Sequence, residues 1–172
     1  MLLNNEDITE VFRDAYPNLC RFLESIVSDR AQDIAQESFL RLCAAEAGDI
    51  SRSEMRFWLF RVARNLALNE VNREKTHNRL WVQVKEVFRR KNLTPAENLE
   101  NAETHALIRD LLDKLPEHQR SALLLREEED MRYREIALVL NVSESKVKVD
   151  IFRGRNALRD LWYERQQKGK EI

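Results

Sequence analysis

The chain has 172 residues, of which 34% are charged, with only three glycines, three prolines and a net charge of −1. That profile fits helices joined by few turns and argues against sheets and sandwiches. No apolar run approaches membrane-spanning length, the N-terminal MLLNNEDITEVF is acidic rather than signal-like, and Cys20 and Cys43 stand without paired spacing, so membrane insertion, a secretion signal, a disulfide framework and a zinc site are not expected.

In chain order, the first helical region is expected from about Glu6 to Val27, with Pro17 interrupting or kinking it. Asp29 can cap a second helix that runs to about Ala45, with Gln32 at the capping-box position. Gly48 and Asp49 mark a loop. Ser51 with Glu54 forms a capping box and Ile50 with Met55 a hydrophobic staple, so a third helix should start here and reach about Arg73. These three helices make an N-terminal domain, residues 1–76.

Residues 77–95 read as a basic linker, in which Trp81, Val82, Val84, Val87 and Phe88 could form a short amphipathic helix. Thr94-Pro95-Ala96-Glu97 then carries a cap, a first-turn proline and a third-position glutamate. A C-terminal domain therefore occupies residues 96–172, with helices near Ala102–Lys114 and Glu117–Glu129 separated by Pro116.

Tyr133–Arg155, YREIALVLNVSESKVKVDIFRGR, follows as two short helices and a tight turn. Ile136, Ala137 and Leu140 make one apolar stripe, and Val147, Ile151 and Leu158 make the other. Asn141 suits the left-handed residue between them, Ser143 can cap the second helix, and Val142 can staple onto Val147. The small Ala137 lets the helices cross closely, and Gly154, costly by ~1 kcal/mol inside a helix, implies close packing there. This is a helix-turn-helix. A plain helical hairpin in a bundle would show the same apolar stripes. The opposite face, with Ser145, Lys146, Lys148, Val149, Phe152, Arg153 and Asn156, favours DNA, because it is basic and reaches phosphates or base edges.

Charge by segment supports that reading. Residues 1–50 carry four basic and ten acidic side chains, net −6, and residues 51–94 carry eleven and four, net +7. Residues 95–130 carry four and ten, net −6, and residues 131–172 carry ten and six, net +4. Alternating blocks suggest two DNA-facing surfaces separated by acidic surfaces that meet another partner.

Catalytic chemistry has no foothold. Gly48, Gly154 and Gly169 are too scattered for a phosphate loop, and His77, His105 and His118 fall in different elements without ligand-like spacing. No Ser or Cys lies in a nucleophile motif. Neither an enzyme nor a metal or cofactor site is expected.

Three segments together resemble the extracytoplasmic-function sigma factors, initiation factors of bacterial RNA polymerase. Asp33-Ile34-Ala35-Gln36-Glu37-Ser38-Phe39-Leu40-Arg41 is similar to that family's D-x-x-Q-E-x-F-L-R stretch. Phe57-Trp58-Leu59-Phe60-Arg61-Val62-Ala63-Arg64-Asn65-Leu66-Ala67 is close to its W-L-[FY]-R-I-A-x-N pattern. Leu115-Pro116-Glu117-His118-Gln119-Arg120 through Leu161 is like its L-P-x-x-x-R segment and promoter-reading domain. The resemblance spans nearly the whole chain in the right order.

It implies an all-α fold of two small helical domains joined by the basic linker, the C-terminal one holding the helix-turn-helix. It also implies binding to core RNA polymerase, to promoter DNA and to an anti-sigma factor, in the cytoplasm. Asp33, Gln36, Glu37 and Arg41 would meet the polymerase clamp, with Asp33 and Glu37 as an acidic ridge; Phe39 and Leu40 read as core. Arg61, Asn65, Asn69 and Arg73, one every fourth residue, would take the melted minus-ten strand, and the 47–53 loop a flipped base. Phe57, Trp58 and Phe60 could stack bases, but at least two of them read as core, beside Leu59, Val62, Ala63 and Leu66. Ser145, Lys146, Lys148, Val149, Phe152 and Arg153 would read the minus-thirty-five duplex, with Arg155 and Arg159 on phosphates. Asp150 and Phe152 depart from the family pattern, and Asp150 would pair with Lys146 or Arg153 instead of facing the groove. A polymerase-independent helix-turn-helix regulator, or a sigma-like interaction protein, is the alternative.

Overall fold

The computed structural model describes residues 5–44, 51–78 and 107–168. The chain divides into two compact units, Met1–Glu97 and Asn98–Ile172.

In the first unit, α1 (Asn5–Glu24), α2 (Ala31–Ala44) and α3 (Arg52–Asn78) pack on one another pairwise. Val11, Ala15, Leu19, Phe22 and Leu23 repeat at helical spacing along α1 and are all buried. They meet Ile34, Ala35, Phe39 and Leu42 of α2 and Met55, Leu59, Phe60, Ala63 and Ala67 of α3. Pro17 does not interrupt α1, contrary to expectation. It lies on the solvent side, where water can satisfy the carbonyl that its missing N–H leaves unbonded. The helix instead ends where Ser25 turns back, its hydroxyl donating to the Phe22 carbonyl at 2.7 Å.

The expected Asp29 cap of α2 is also absent. A 3-10 turn over Ser28–Arg30 runs straight into α2, so Asp29 already sits inside helical backbone, whereas a cap needs an extended residue. The Ser51–Glu54 pairing does start α3: the Ser51 N–H donates to Glu54 Oε2 at 3.0 Å and its hydroxyl at 2.7 Å. The α3 helix continues past Arg73 to Asn78. The Gly48 loop, the Ile50 staple, the apolar linker residues and the Thr94 helix start lie outside the described residues.

In the second unit, residues 107–112 are helical and precede α4 (Glu117–Glu127), α5 (Tyr133–Leu140) and α6 (Glu144–Lys168). Arg120, mostly buried, bonds the Asp113 carbonyl at 3.4 Å and its carboxylate at 3.3 Å, fastening the turn before Pro116. Among the described residues two non-glycines take the left-handed conformation: Asn141 with φ 55°, as expected, and Asp130 with φ 51°, in the turn after α4. After Asp130 the Met131 N–H returns to the Leu125 carbonyl at 3.0 Å, closing the helix end. The Arg132 N–H donates to Glu135 at 2.6 Å to start α5, and the Lys146 N–H donates to Ser143 Oγ at 3.2 Å to start α6. Ile136, Ala137, Val139 and Leu140 of α5 pack with Val147 and Ile151 of α6 and the Ala122–Leu125 run of α4. Val142 is exposed rather than stapled down. Gly154 seats α6 on α4: a Cβ there would stand 2.7 Å from Leu123 Cδ1.

Candidate nucleic-acid interface

Three exposed stripes coincide with the three sets of candidate residues, each opposite a buried stripe of the same helix. On α2, Asp33, Gln36, Glu37 and Arg41 are all exposed, while Ile34, Ala35, Ser38 and Phe39 face inward. The ridge is less acidic than its sequence. Arg30 Nε lies 3.6 Å from Asp33, and Arg41 Nε bonds Glu37 at 2.9 Å, so each carboxylate has a cation beside it. Leu40 corrects the expectation of a core residue: it is 65% exposed, whereas Phe39 is buried. Helical spacing explains this, since Leu40 follows Gln36 at i+4 on the outer face. Beneath this face, burial pushes the Cys20 thiol up, and Tyr16 hydrogen-bonds to it.

Along α3, Arg61, Asn65, Asn69 and Arg73 are exposed, on the far side from Leu59, Ala63 and Ala67. Arg61 and the two amides thus form a polar strip about 5–6 Å per step. Arg73 is drawn to Glu70 at 2.8 Å, and Arg30 reaches the same carboxylate oxygen at 2.8 Å, tying α3 to the turn before α2. Of the three aromatics only Phe60 is fully buried, with its ring 5.5 Å from that of Phe22. Phe57 and Trp58 are half-buried, so the expectation of at least two core aromatics holds for one. Trp58 precedes Arg61 by three residues and Asn65 by seven, which puts it on their side of the helix. The sequence periodicity could have separated it from Phe60. Arg64, buried between these sides, was not anticipated.

On α6, Ser145, Lys146, Lys148, Val149, Phe152, Arg153 and Arg155 are all exposed, opposite Val147, Ile151 and Gly154. Phe152 is 67% exposed, an apolar side chain held in water on a polar face. Several cations here already have partners. Lys148 Nζ stands 6.0 Å from the centre of the Tyr133 ring, which Arg126 also approaches at 5.5 Å. Arg155 bonds Glu127 through Nε at 3.2 Å, and this hydrogen bond raises its pKa further. Arg159 Nε lies 3.6 Å from Asp160. Asp150 is not on the outer face: it is 1% exposed and pairs with Lys146, as expected, and with His118 Nε2 at 3.6 Å, which sequence spacing could not reveal.

Among the described residues no cluster of His, Cys, Asp and Glu could hold a metal ion, and no helix is long and apolar enough to cross a membrane.

Residues 11–77 match the family model of sigma-70 region 2, and residues 105–158 match that of sigma-70 region 4. The chain is 31% identical to the sigma factor SigW of Bacillus subtilis, over 89% of this chain and 86% of that one. It is 28% identical to SigM of the same organism, over 90% and 94%, and 32% identical to the sigma-H factor of Pseudomonas aeruginosa, over 76% and 72%. Its fold resembles that of the sigma factor RpoE solved in complex with the anti-sigma factor NepR from Bartonella quintana. That likeness has a TM-score of 0.71 at 23% identity, over 92% of this chain and 98% of that one. It also resembles CnrH solved with the cytosolic domain of CnrY, with a TM-score of 0.67 at 22% identity, over 94% and 90%. The chain belongs to the extracytoplasmic-function family of RNA polymerase sigma factors.

Proposed function

We propose that this sigma factor, a promoter-specificity subunit of RNA polymerase, divides its work among the three stripes. The α2 face of Asp33, Gln36, Glu37 and Arg41 docks on core polymerase, with Leu40 adding an apolar contact at its centre. The α3 strip of Arg61, Asn65, Asn69 and Arg73 holds the melted minus-ten strand, its amides reading base edges and its arginines holding phosphates. Trp58, on the same side, offers a stacking surface to an unpaired base. The outer face of α6 reads the minus-thirty-five duplex. There Arg153 and Ser145 supply polar contacts, and Val149 and Phe152 supply apolar contact to thymine methyls.

The observation that carries this reading is the exposed Arg61–Asn65–Asn69 strip on a helical unit separate from the helix-turn-helix. A regulator acting without polymerase would need only the duplex-reading unit. The protein acts in the cytoplasm as a non-catalytic initiation factor. An anti-sigma factor is its partner, as NepR is for the RpoE chain that it resembles, and covers polymerase-facing residues. Residues 77–95 link the two domains, 1–76 and 96–172.

Run-off transcription with purified core polymerase and the DNA upstream of its own gene tests the reading. Specific transcripts that require this chain support it. Tight, sequence-specific duplex binding as a dimer, without transcripts, would establish the polymerase-independent regulator instead.

A further inference from the structure

Asp150 of α6 is a buried carboxylate with two basic side chains beside it. Lys146, one turn earlier on the same helix, bonds its Oδ1, and His118 Nε2 of α4 stands 3.6 Å from that oxygen. A buried carboxylate is costly without a compensating charge. Lys146 is its permanent counter-charge and His118 a conditional one. On α4, Glu117 accepts the Ser121 hydroxyl at 2.7 Å, and Arg120 turns to Asp113 at 3.3 Å. Among the described residues α5 sends no side chain into an ion pair with Asp150, and on α6 Glu144 lies in the first turn.

We infer that Asp150 is a positioning residue for duplex binding: it holds Lys146 at the flank of the reading face and cancels its charge. The inference rests on the proposed duplex-reading role of α6.

At 100° per residue, Ser145, Val149, Phe152 and Arg153 centre the outer face, and Lys146 falls at its edge beside Asp150. The Asp150–Lys146 pair is net zero, and it adds little to the attraction for a phosphate backbone. Without the Asp150 charge, Lys146 can be shared with a phosphate, releasing about one more DNA counterion. Arg155 and Glu127 are paired in the same sense, but both are about half exposed, so water and salt screen them. Asp150 has no such screening. Its effect is to keep sequence-independent affinity low, leaving discrimination to the central residues.

The test uses the full-length chain and a short labelled duplex of arbitrary sequence, with anisotropy titrations across a salt series. Asp150→Asn should bind about five- to tenfold tighter than wild type near ~0.1 M salt, with a salt slope steeper by about 0.9. Adding Lys146→Ala to Asp150→Asn should cancel the tightening, since the effect runs through Lys146. Equal or weaker binding by a folded Asp150→Asn variant would overturn the inference. So would an equal tightening by Asp150→Asn in the Lys146→Ala background, because the effect would then not run through Lys146. Failure of the underlying reading looks different: Arg153→Ala and Lys148→Ala would then leave duplex binding untouched.

Discussion

Replacing Gly154 by Ala sets two effects of known sign against each other. In an open helix the change stabilises by about 1 kcal/mol, because alanine loses less backbone freedom on folding. Here the new Cβ would stand 2.7 Å from Leu123 Cδ1, 3.2 Å from its Cγ and 3.6 Å from Gln119 Cβ. Leu123 is itself buried, so its methyl has no free volume to swing into. Overpacking of this kind costs about 1–3 kcal/mol, so the net change should be a loss of roughly 1 kcal/mol, up to about 2. The Leu123→Ala variant separates the two effects. Alone it should cost about 2–5 kcal/mol through lost burial and a cavity. In that background the clash is gone, and Gly154→Ala should recover about 1 kcal/mol. The interaction energy between the two changes would then be about 2 kcal/mol. Urea unfolding of the four proteins, followed by far-ultraviolet circular dichroism, measures it. Stabilisation by Gly154→Ala in the parent protein, or the same cost in both backgrounds, would refute the close contact of α4 and α6.

Asn65→Ala should impair promoter opening, seen as lost permanganate reactivity of the melted region, while duplex binding stays unchanged. Reversing Asp33 and Glu37 to Lys should abolish tight association with core polymerase. The unfolding midpoint should move little, because each loses only an exposed pair worth ~0–1 kcal/mol. The Ser51 hydroxyl, and then its backbone N–H, hold the Glu54 carboxyl below the usual carboxylate range. A carboxyl depressed on folding supports the fold above its unfolded value of about 4.3, and that support is lost as pH falls through the folded value. Ser51→Ala should therefore move the Glu54 titration, followed by NMR, upward and weaken this acid dependence.

Much of this architecture was readable from spacing alone. The i, i+4 repeats of Val11, Ala15, Leu19 and Leu23 on α1, and of Val147 and Ile151 on α6, are buried as periodicity requires. Asn141, Ser143 and the Ser51–Glu54 pair act locally, so three or four residues of sequence suffice to recognise them. Errors arose where the outcome depended on a neighbour distant in sequence or on fine angular position. Asp29 reads as a cap, yet the 3-10 turn absorbs it into the helix. Leu40 reads as core beside Phe39, yet one residue is a 100° rotation, enough to carry it to the outer face. His118 and Asp150 are 32 positions apart in sequence, and only the packing of α4 on α6 brings them together. The same holds for Arg155 and Glu127, which pair between α6 and the end of α4.

The placement of the candidate surfaces constrains how any variant should be interpreted. On α3, Leu59, Phe60, Ala63 and Ala67 are fully buried, while Arg61, Asn65 and Asn69 on the same helix are exposed. On α6, Val147, Ile151 and Gly154 do the same for Ser145, Val149 and Arg153. The direction of each outer side chain is therefore set by the packing of the inner ones, through a rigid helix of fixed angular step. A core substitution that rotates or lifts α6 would move every duplex-facing side chain together, and would mimic the loss of several contacts at once. A true contact residue behaves differently. Its loss leaves the unfolding midpoint in place and lowers affinity either at one base pair or uniformly along the backbone. Asp150 belongs to neither class: it is buried like a core residue, but its charge is felt at the surface through Lys146. Stability and salt-dependent binding must therefore be measured on the same variant, because a midpoint that holds while the salt slope steepens is the signature of a charge effect rather than of a packing defect.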